Sequence, residues 1–257
     1  MPLPAAVALD LDGVVWRADV AIPGAAEAVG RLRDAAVEVV FVTNNAGPTV
    51  AEQEAKLAAF GVDAAGAVLS SPMAAAGLLE PGSAVLVAGG PGVVEAVVGA
   101  RCVPRSYDEV DAGMEVDAVV VGFHQDFDWQ RMRIASAAVR RGARFVATNT
   151  DATYPAAEGL VPGNGSIVAG IATAAGVDPV VAGKPHGPMA RLLVGRCGAG
   201  GVVVGDRADT DGALAAACGW RFGLVLSGVT SAADLPTDPP ADLVAGDLAA
   251  LVGDLLG

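Results

Sequence analysis

The stretch Ala5-Ala6-Val7-Ala8-Leu9-Asp10-Leu11-Asp12-Gly13 passes from five apolar residues straight into two carboxylates and a glycine. A short apolar run closed by a turn signal reads as a buried strand. Runs of the same kind recur at 37–42, 84–88, 118–122, 145–147, 180–182, 202–204 and 223–226. Amphipathic stretches lie between them, at 24–34, 50–60, 129–141, 188–197 and 211–218. Thr49-Val50-Ala51-Glu52 has the form of a capping box, with Gly61 placed to end that helix in the left-handed conformation. Asp128 is placed to cap the next helix and Gly142 to close it. This alternation predicts an α/β fold with largely parallel sheets. The junctions Glu80-Pro81-Gly82 and Ala182-Gly183-Lys184-Pro185 bracket an inserted domain of about 100 residues. The chain accordingly divides into 1–79, 80–182 and 183–257.

Composition narrows the function classes. Over half of the 257 residues are apolar and 18% are charged, which excludes wholesale disorder. A net charge of −13 with no local run of Lys and Arg argues against nucleic-acid binding. The charge-poor region 73–100 is interrupted by Glu80, Pro81, Pro91 and Glu95, so no membrane span is expected. No basic n-region precedes the run at Ala5, and the expected location is cytoplasmic. Cys102, Cys197 and Cys218 form no CxxC pair and read as buried, reduced thiols.

Four polar clusters each follow an apolar run: Asp10-Leu11-Asp12-Gly13, Thr43-Asn44-Asn45, Gly183-Lys184-Pro185 and Gly205-Asp206-Arg207 with Asp211. In an open parallel sheet, ligands bind outside the carboxyl ends of the strands, so these groups converge on one crevice. Taken singly, each has a plainer reading. Asp10 and Asp12 read as turn residues, Thr43 as a turn cap and Lys184 as a surface lysine. Asp206 and Asp211 read as a helix cap and a solvated first-turn acid. Two carboxylates at a strand end repel unless a cation lies between them, and a hard divalent ion such as magnesium suits them. The joint occurrence of all four clusters, in this order, favours a site.

VALDLDGVVW (7–16), FVTNNAG (41–47), ATNTDATYPAAEGLVPGNGS (147–166), VAGKP (181–185) and VVVGDRADTD (202–211) resemble the NagD-like branch of the haloacid dehalogenase-like hydrolases. The resemblance implies a Rossmann-like three-layer αβα core with a parallel sheet, plus an inserted smaller α/β cap domain. It implies a magnesium-dependent phosphatase that hydrolyses small phosphate monoesters through an aspartyl phosphate. Asp10 would be the nucleophile and Asp12 the general acid and base. The Asp10 carboxylate, the Asp12 carbonyl and Asp206 would hold Mg2+, with Asp211 behind them orienting Lys184 or a water. Thr43 and Asn44, with Asn45 beside them, would bind the phosphoryl group, and Lys184 would neutralise its charge. A homodimer through the cap is expected by analogy. Val14, Ala208 and Gly212 depart from the usual pattern without removing a reacting group.

Other readings fall away. The P-loop glycine required five residues before Gly183 is Asp178, and Pro185 stands where Ser or Thr would bind magnesium. Gly89-Gly90-Pro91-Gly92 reads as a turn. No GxSxG elbow is present. His124 reads as a surface or cap residue, and the role of His186 stays open. A phosphomutase or phosphotransferase using the same aspartyl phosphate, and a non-catalytic phosphate-binding module, are the remaining alternatives. For the leaving group, the loop-rich stretch 149–166 offers Asn149, Asp151, Thr153 and Asn164 as hydrogen-bonding side chains, Asn149 and Asp151 foremost. Its glycines also read simply as tight turns. The stretch has one aromatic residue, Tyr154, and no Arg or Lys, which favours glycerol 3-phosphate or phosphoglycolate over a nucleotide or bisphosphate.

Overall fold

The computed structural model describes residues 3–18, 20–156 and 159–257. Met1, Pro2 and Asp19 lie outside the described residues, as do Ala157 and Glu158 of the stretch 149–166. The chain forms two compact units, one of Met1–Thr43, Ala51–Leu69 and Lys184–Gly257, the other of Asn44–Val50 and Ser70–Gly183. Residues 70–79 group with the second unit because the helix Ser71–Ala76 packs on the helix Pro91–Gly99. Residues 44–50 join them, since the Ser71 hydroxyl donates to the Asn44 carbonyl at 2.8 Å. The compact units therefore part at different places from 80 and 182.

The first unit is built on a six-stranded sheet ordered Leu243–Ala245, Arg221–Val225, Gly201–Gly205, Ala6–Leu9, Glu38–Thr43, Val68–Ser70. The strand Ala6–Leu9 runs parallel to both its neighbours, with Leu9 opposite Val204 on one side and Phe41 on the other. All four of its residues are buried, as expected of a strand covered on both faces. Helix Ala25–Asp34 turns Ala25, Ala28, Val29 and Leu32 inward at the spacing of one helical face. Helix Leu248–Leu256 buries Leu248, Leu251, Val252 and Leu255 and is capped by Asp247, whose carboxylate accepts from the Ala250 N–H. This is the expected Rossmann-like α/β arrangement.

The second unit carries a five-stranded parallel sheet ordered Val180–Val181, Arg144–Ala147, Ala118–Val121, Ala84–Ala88, Val103–Arg105. Leu86, Val119, Val121 and Phe145 form its core with Ile134 and Ile171 from helices Trp129–Arg140 and Asn164–Ala175. Asp128 caps the first of these helices by accepting from the Arg131 N–H, and Gly142 beyond its end has a positive φ. An antiparallel hairpin pairs Thr153–Ala156 with Gly159–Pro162. Gly89-Gly90-Pro91-Gly92 does more than turn: it opens helix Pro91–Gly99, and a Cβ on Gly92 would stand 2.2 Å from the Pro48 carbonyl oxygen. No helix among the described residues is long and apolar enough to cross a membrane.

Candidate active site

Parallel pairing brings the carboxyl ends of the central strands together. Asp10 follows Ala6–Leu9, Thr43 ends Glu38–Thr43, and Asp206 follows Gly201–Gly205. Lys184 is contributed by the segment leading into helix Gly187–Cys197. Its ammonium lies 2.8 Å from Asp10 Oδ1 and 2.7 Å from Asp211 Oδ1, with the lysine side chain 4% exposed and Asp211 fully buried. Oxygens of Asp10, Asp206 and Asp211 all lie within 4.8 Å of one another. Asp10 Oδ1 also accepts the Leu11 N–H, which aims the carboxylate along the chain's own turn.

Asp211 reaches this position through a one-turn π-helix, Ala208–Gly212, that follows the strand end. Its second oxygen accepts the Arg207 N–H. Gly205 must be glycine, since a Cβ there would stand 2.1 Å from the Asp211 carboxyl carbon. Gly212, one of the departures from the usual pattern, is likewise demanded by packing, since a Cβ there would crowd Phe222 and Pro239. Asp206 sits in a cradle of Gly13 and Gly228, where a Cβ on either would meet its Oδ2, and that oxygen accepts the Val229 N–H at 2.6 Å.

Burial dominates the electrostatics. It pushes Asp206 up to about 6, helped by the neighbouring Asp10 carboxylate. Asp12 rises to about 6 for the same two reasons, against a hydrogen bond from Trp16 and the charges of Lys56 and Lys184. Burial also pushes Asp211 to about 7, although Lys184 favours its charged form. Lys184 itself is desolvated, yet Asp10 and Asp211 outweigh that and hold it firmly protonated. One ammonium among three close carboxylates leaves an excess of oxygen donors and negative charge, a donor set that suits a hard divalent ion.

A pH dependence follows. Carboxyls raised in the folded state contribute stability that is full below about 4 and lost as pH rises through about 6. A divalent ion competes with those protons, so the gain in melting temperature on adding magnesium should be larger at pH 7 than at pH 5. Taking the difference with and without metal cancels the opposite trend of His124, whose imidazole burial holds below its usual range. An increment that is flat or falls with pH contradicts these electrostatics.

In the second unit, the side chains expected to read the leaving group are engaged with one another. Asn149 is 4% exposed; its Nδ2 donates to the Asn44 carbonyl at 2.7 Å and its Oδ1 accepts the Asp151 N–H. Asn44 Nδ2 donates to Asp151 Oδ2 at 3.2 Å, and Asn45 Nδ2 approaches the Tyr154 hydroxyl at 3.5 Å. Asn164 is buried and donates to the Asn149 carbonyl and the Thr148 hydroxyl. The glycines around it build tight packing, since a Cβ at Gly163 or Gly165 would lie within 2.4 Å of the Asp151 or Thr150 carbonyl oxygen. Gly183 is fixed by the same logic, against Asn44 Oδ1 and the Thr148 carbonyl. Tyr154 stacks on Phe123 with centroids 5.0 Å apart. Thr153 is exposed.

His186 is exposed at the start of helix Gly187–Cys197 and makes no capping bond. His124 is half-buried: one ring nitrogen pairs with the Gly122 carbonyl at 2.8 Å and the other with the Tyr107 hydroxyl at 3.3 Å. The three cysteines are free thiols, but only Cys102 is buried. Cys197 and Cys218 end short helices whose last turns remain partly open to solvent.

A buried lysine clasped between two carboxylates at the carboxyl edge of a parallel sheet defines a class. Residues 7–101 match the family model for haloacid dehalogenase-like hydrolases, and residues 181–251 match a second, HAD-hydrolase-like model. The chain belongs to the haloacid dehalogenase-like hydrolases, and within them to the NagD-like branch. It superposes on NagD from E. coli K-12 with a TM-score of 0.86 at 30% identity, covering 97% of this chain and 98% of that one. It is 41% identical over 234 residues to the D-glycerol 3-phosphate phosphatase of Mycobacterium tuberculosis, covering 88% of this chain but 64% of that enzyme's length. The structure of glycerol phosphate phosphatase Rv1692 from the same organism in complex with magnesium aligns with a TM-score of 0.88 at 35% identity, covering 96% of this chain and 76% of that one.

Proposed function

We propose that this chain is a magnesium-dependent phosphatase acting on small phosphate monoesters, of the size of glycerol 3-phosphate or phosphoglycolate. The observation that carries the reading is Lys184, buried and bridging Asp10 and Asp211 beside Asp206. Asp10 is the nucleophile: one carboxylate oxygen forms a bond to phosphorus as the ester P–O bond breaks, leaving an aspartyl phosphate. Asp12 gives its proton to the departing oxygen and then takes one from the water that hydrolyses the acyl phosphate. Lys184, held charged by its two carboxylates, orients Asp10 and offsets charge on the transferring group. Thr43 and the Asn44 amide bind that group, with Asn45 beside them. The Asp10 carboxylate, the Asp12 carbonyl and Asp206 are the groups that would hold Mg2+, with Asp211 behind Lys184. Bound there, the ion supplies positive charge that stabilises the phosphoryl oxygens and orients nucleophile and ester.

We assign substrate selection to the cap, the inserted region around 80–182, with Asn149 and Asp151 its foremost polar groups. The buried Asn149 is the framework that presents Asp151 and the Asn44–Asn45 turn. The absence of Arg and Lys from 149–166 supports a substrate with one phosphate. A homodimer through the cap would cover Val94, Val98 and Val103, which are exposed in the described structure. The free thiols fit a cytoplasmic location.

The test is hydrolysis of p-nitrophenyl phosphate with and without magnesium, followed by a panel of glycerol 3-phosphate, phosphoglycolate, sugar phosphates and nucleotides. Activity lost in chelator, restored by magnesium and scarcely by calcium, is the expected result, since calcium's longer and looser coordination misplaces the nucleophile. Full activity in excess chelator overturns the metal reading, and a clear preference for nucleotides overturns the substrate class.

A further inference from the structure

We propose that Trp16 is a positioning residue for Asp12: its indole N–H holds one carboxylate oxygen so that the other carries the proton handed to the leaving group. This rests on the reading of Asp12 as general acid. Trp16 Nε1 donates to Asp12 Oδ1 at 2.9 Å, and the tryptophan is 4% exposed. The bond is set by a backbone turn. Gly13, at φ 79, donates its N–H to the Trp16 carbonyl at 2.7 Å, and the Trp16 N–H donates to Leu11 O at 3.2 Å. The chain then leaves in the antiparallel pair Trp16–Arg17 with Val20–Ala21. This turn folds the indole back over the carboxylate four residues before it.

The ring is fixed independently of that bond. Phe60 packs against it with centroids 5.7 Å apart, and the Lys56 ammonium sits 4.6 Å from its centroid. Lys56 also donates to the Ala18 carbonyl, tying helix Val50–Ala59 to the hairpin. Packing alone would be served by any large aromatic ring, so burial does not account for the N–H meeting Asp12. Trp220 is the counter-example within the same unit: it is 6% exposed, and its N–H has no partner among the described residues.

The consequence is chemical. An indole N–H can only donate, so Oδ1 must be the acceptor oxygen of a protonated Asp12 and Oδ2 its O–H. When an Asp10 oxygen bonds to phosphorus, the electron pair of the breaking P–O bond goes to the leaving oxygen, which takes the proton from Asp12 Oδ2. An alkoxide needs that proton to leave. A p-nitrophenolate departs as the anion and does not.

Trp16→Phe keeps the ring and removes the N–H. With this variant, kcat/KM for the best alkyl ester of the panel should fall by about ten- to a hundredfold, the range of a displaced general acid. For p-nitrophenyl phosphate it should stay within about threefold of wild type. An equal loss on both esters, or none on either, overturns the proposal while leaving the phosphatase reading intact. Wild-type protein that cleaves neither ester overturns that reading and the proposal with it. The hydrogen bond has a second readout. Of the three tryptophan indole N–H resonances, that of Trp16, identified by its proximity to the Phe60 ring, should shift in Asp12→Ala. A resonance that stays in place overturns the positioning role even if Trp16→Phe fails to fold.

Discussion

Asp10→Asn is expected to lower turnover by on the order of ten-thousandfold or more, the scale seen when a covalent nucleophile is removed. The amide keeps the shape of the side chain but has no anionic oxygen to attack phosphorus. The loss should come without unfolding. Asp10 is one of three carboxylates within 4.8 Å, and its charge adds to the upward pressure on Asp12, Asp206 and Asp211. Neutralising it relieves that crowding, while Lys184 keeps its buried partner Asp211. The metal-free variant should therefore melt at or above the wild-type temperature. Steady-state assay and thermal melting check the two halves separately. A variant that retained a tenth of wild-type turnover would exclude the aspartyl-phosphate route.

Lys184→Ala is expected to fail in both respects. Removing the ammonium leaves the fully buried Asp211 and the partly buried Asp10 with no countercharge between them. Breaking a buried ion pair from one side costs about 3–5 kcal/mol, because the remaining charge is stranded in a medium that solvates it poorly. Protonation of Asp211, which burial already pushes to about 7, absorbs part of that penalty at neutral pH. The denaturation midpoint should fall below wild type, more at pH 8 than at pH 6, and activity should be lost at every pH. A wild-type midpoint at pH 8 would show that Lys184 is not the charge that holds these carboxylates together. Asp211→Asn separates structure from chemistry here, since it keeps a polar partner for Lys184 while removing one negative charge.

These expectations rest on features of unequal visibility. The apolar run before Asp10 could be read directly, because a strand covered on both faces must be apolar at every position. Once parallel strands were inferred, Thr43 and Asp206 had to emerge at the same edge as Asp10. The short strands Val68–Ser70, Val103–Arg105 and Leu243–Ala245 gave no such signal. Three residues carry too little pattern, and an edge strand is held by its neighbour's hydrogen bonds more than by its own composition. Helix Asn164–Ala175 was concealed for another reason. It is apolar over most of its surface and opens with Asn164-Gly165, which reads locally as a turn.

The α/β class, the order of the four polar clusters and the identity of the acids and lysine at the strand ends are written in the linear chain. These follow from local rules: hydrophobic runs specify strands, and parallel pairing aligns their carboxyl ends. Which of those groups touch was set by the three-dimensional packing. It placed Lys184 between Asp10 and Asp211, and it turned Asn149 and Asn164 inward as buried struts beneath Asp151. It also set the Trp16 indole on Asp12. Such contacts depend on the rotation of a π-turn, the absence of a Cβ at Gly205 or Gly183, and the burial of a ring between Phe60 and Lys56. Each is a three-dimensional distance between side chains, and a linear pattern of apolar and polar residues holds no information about distances of that kind.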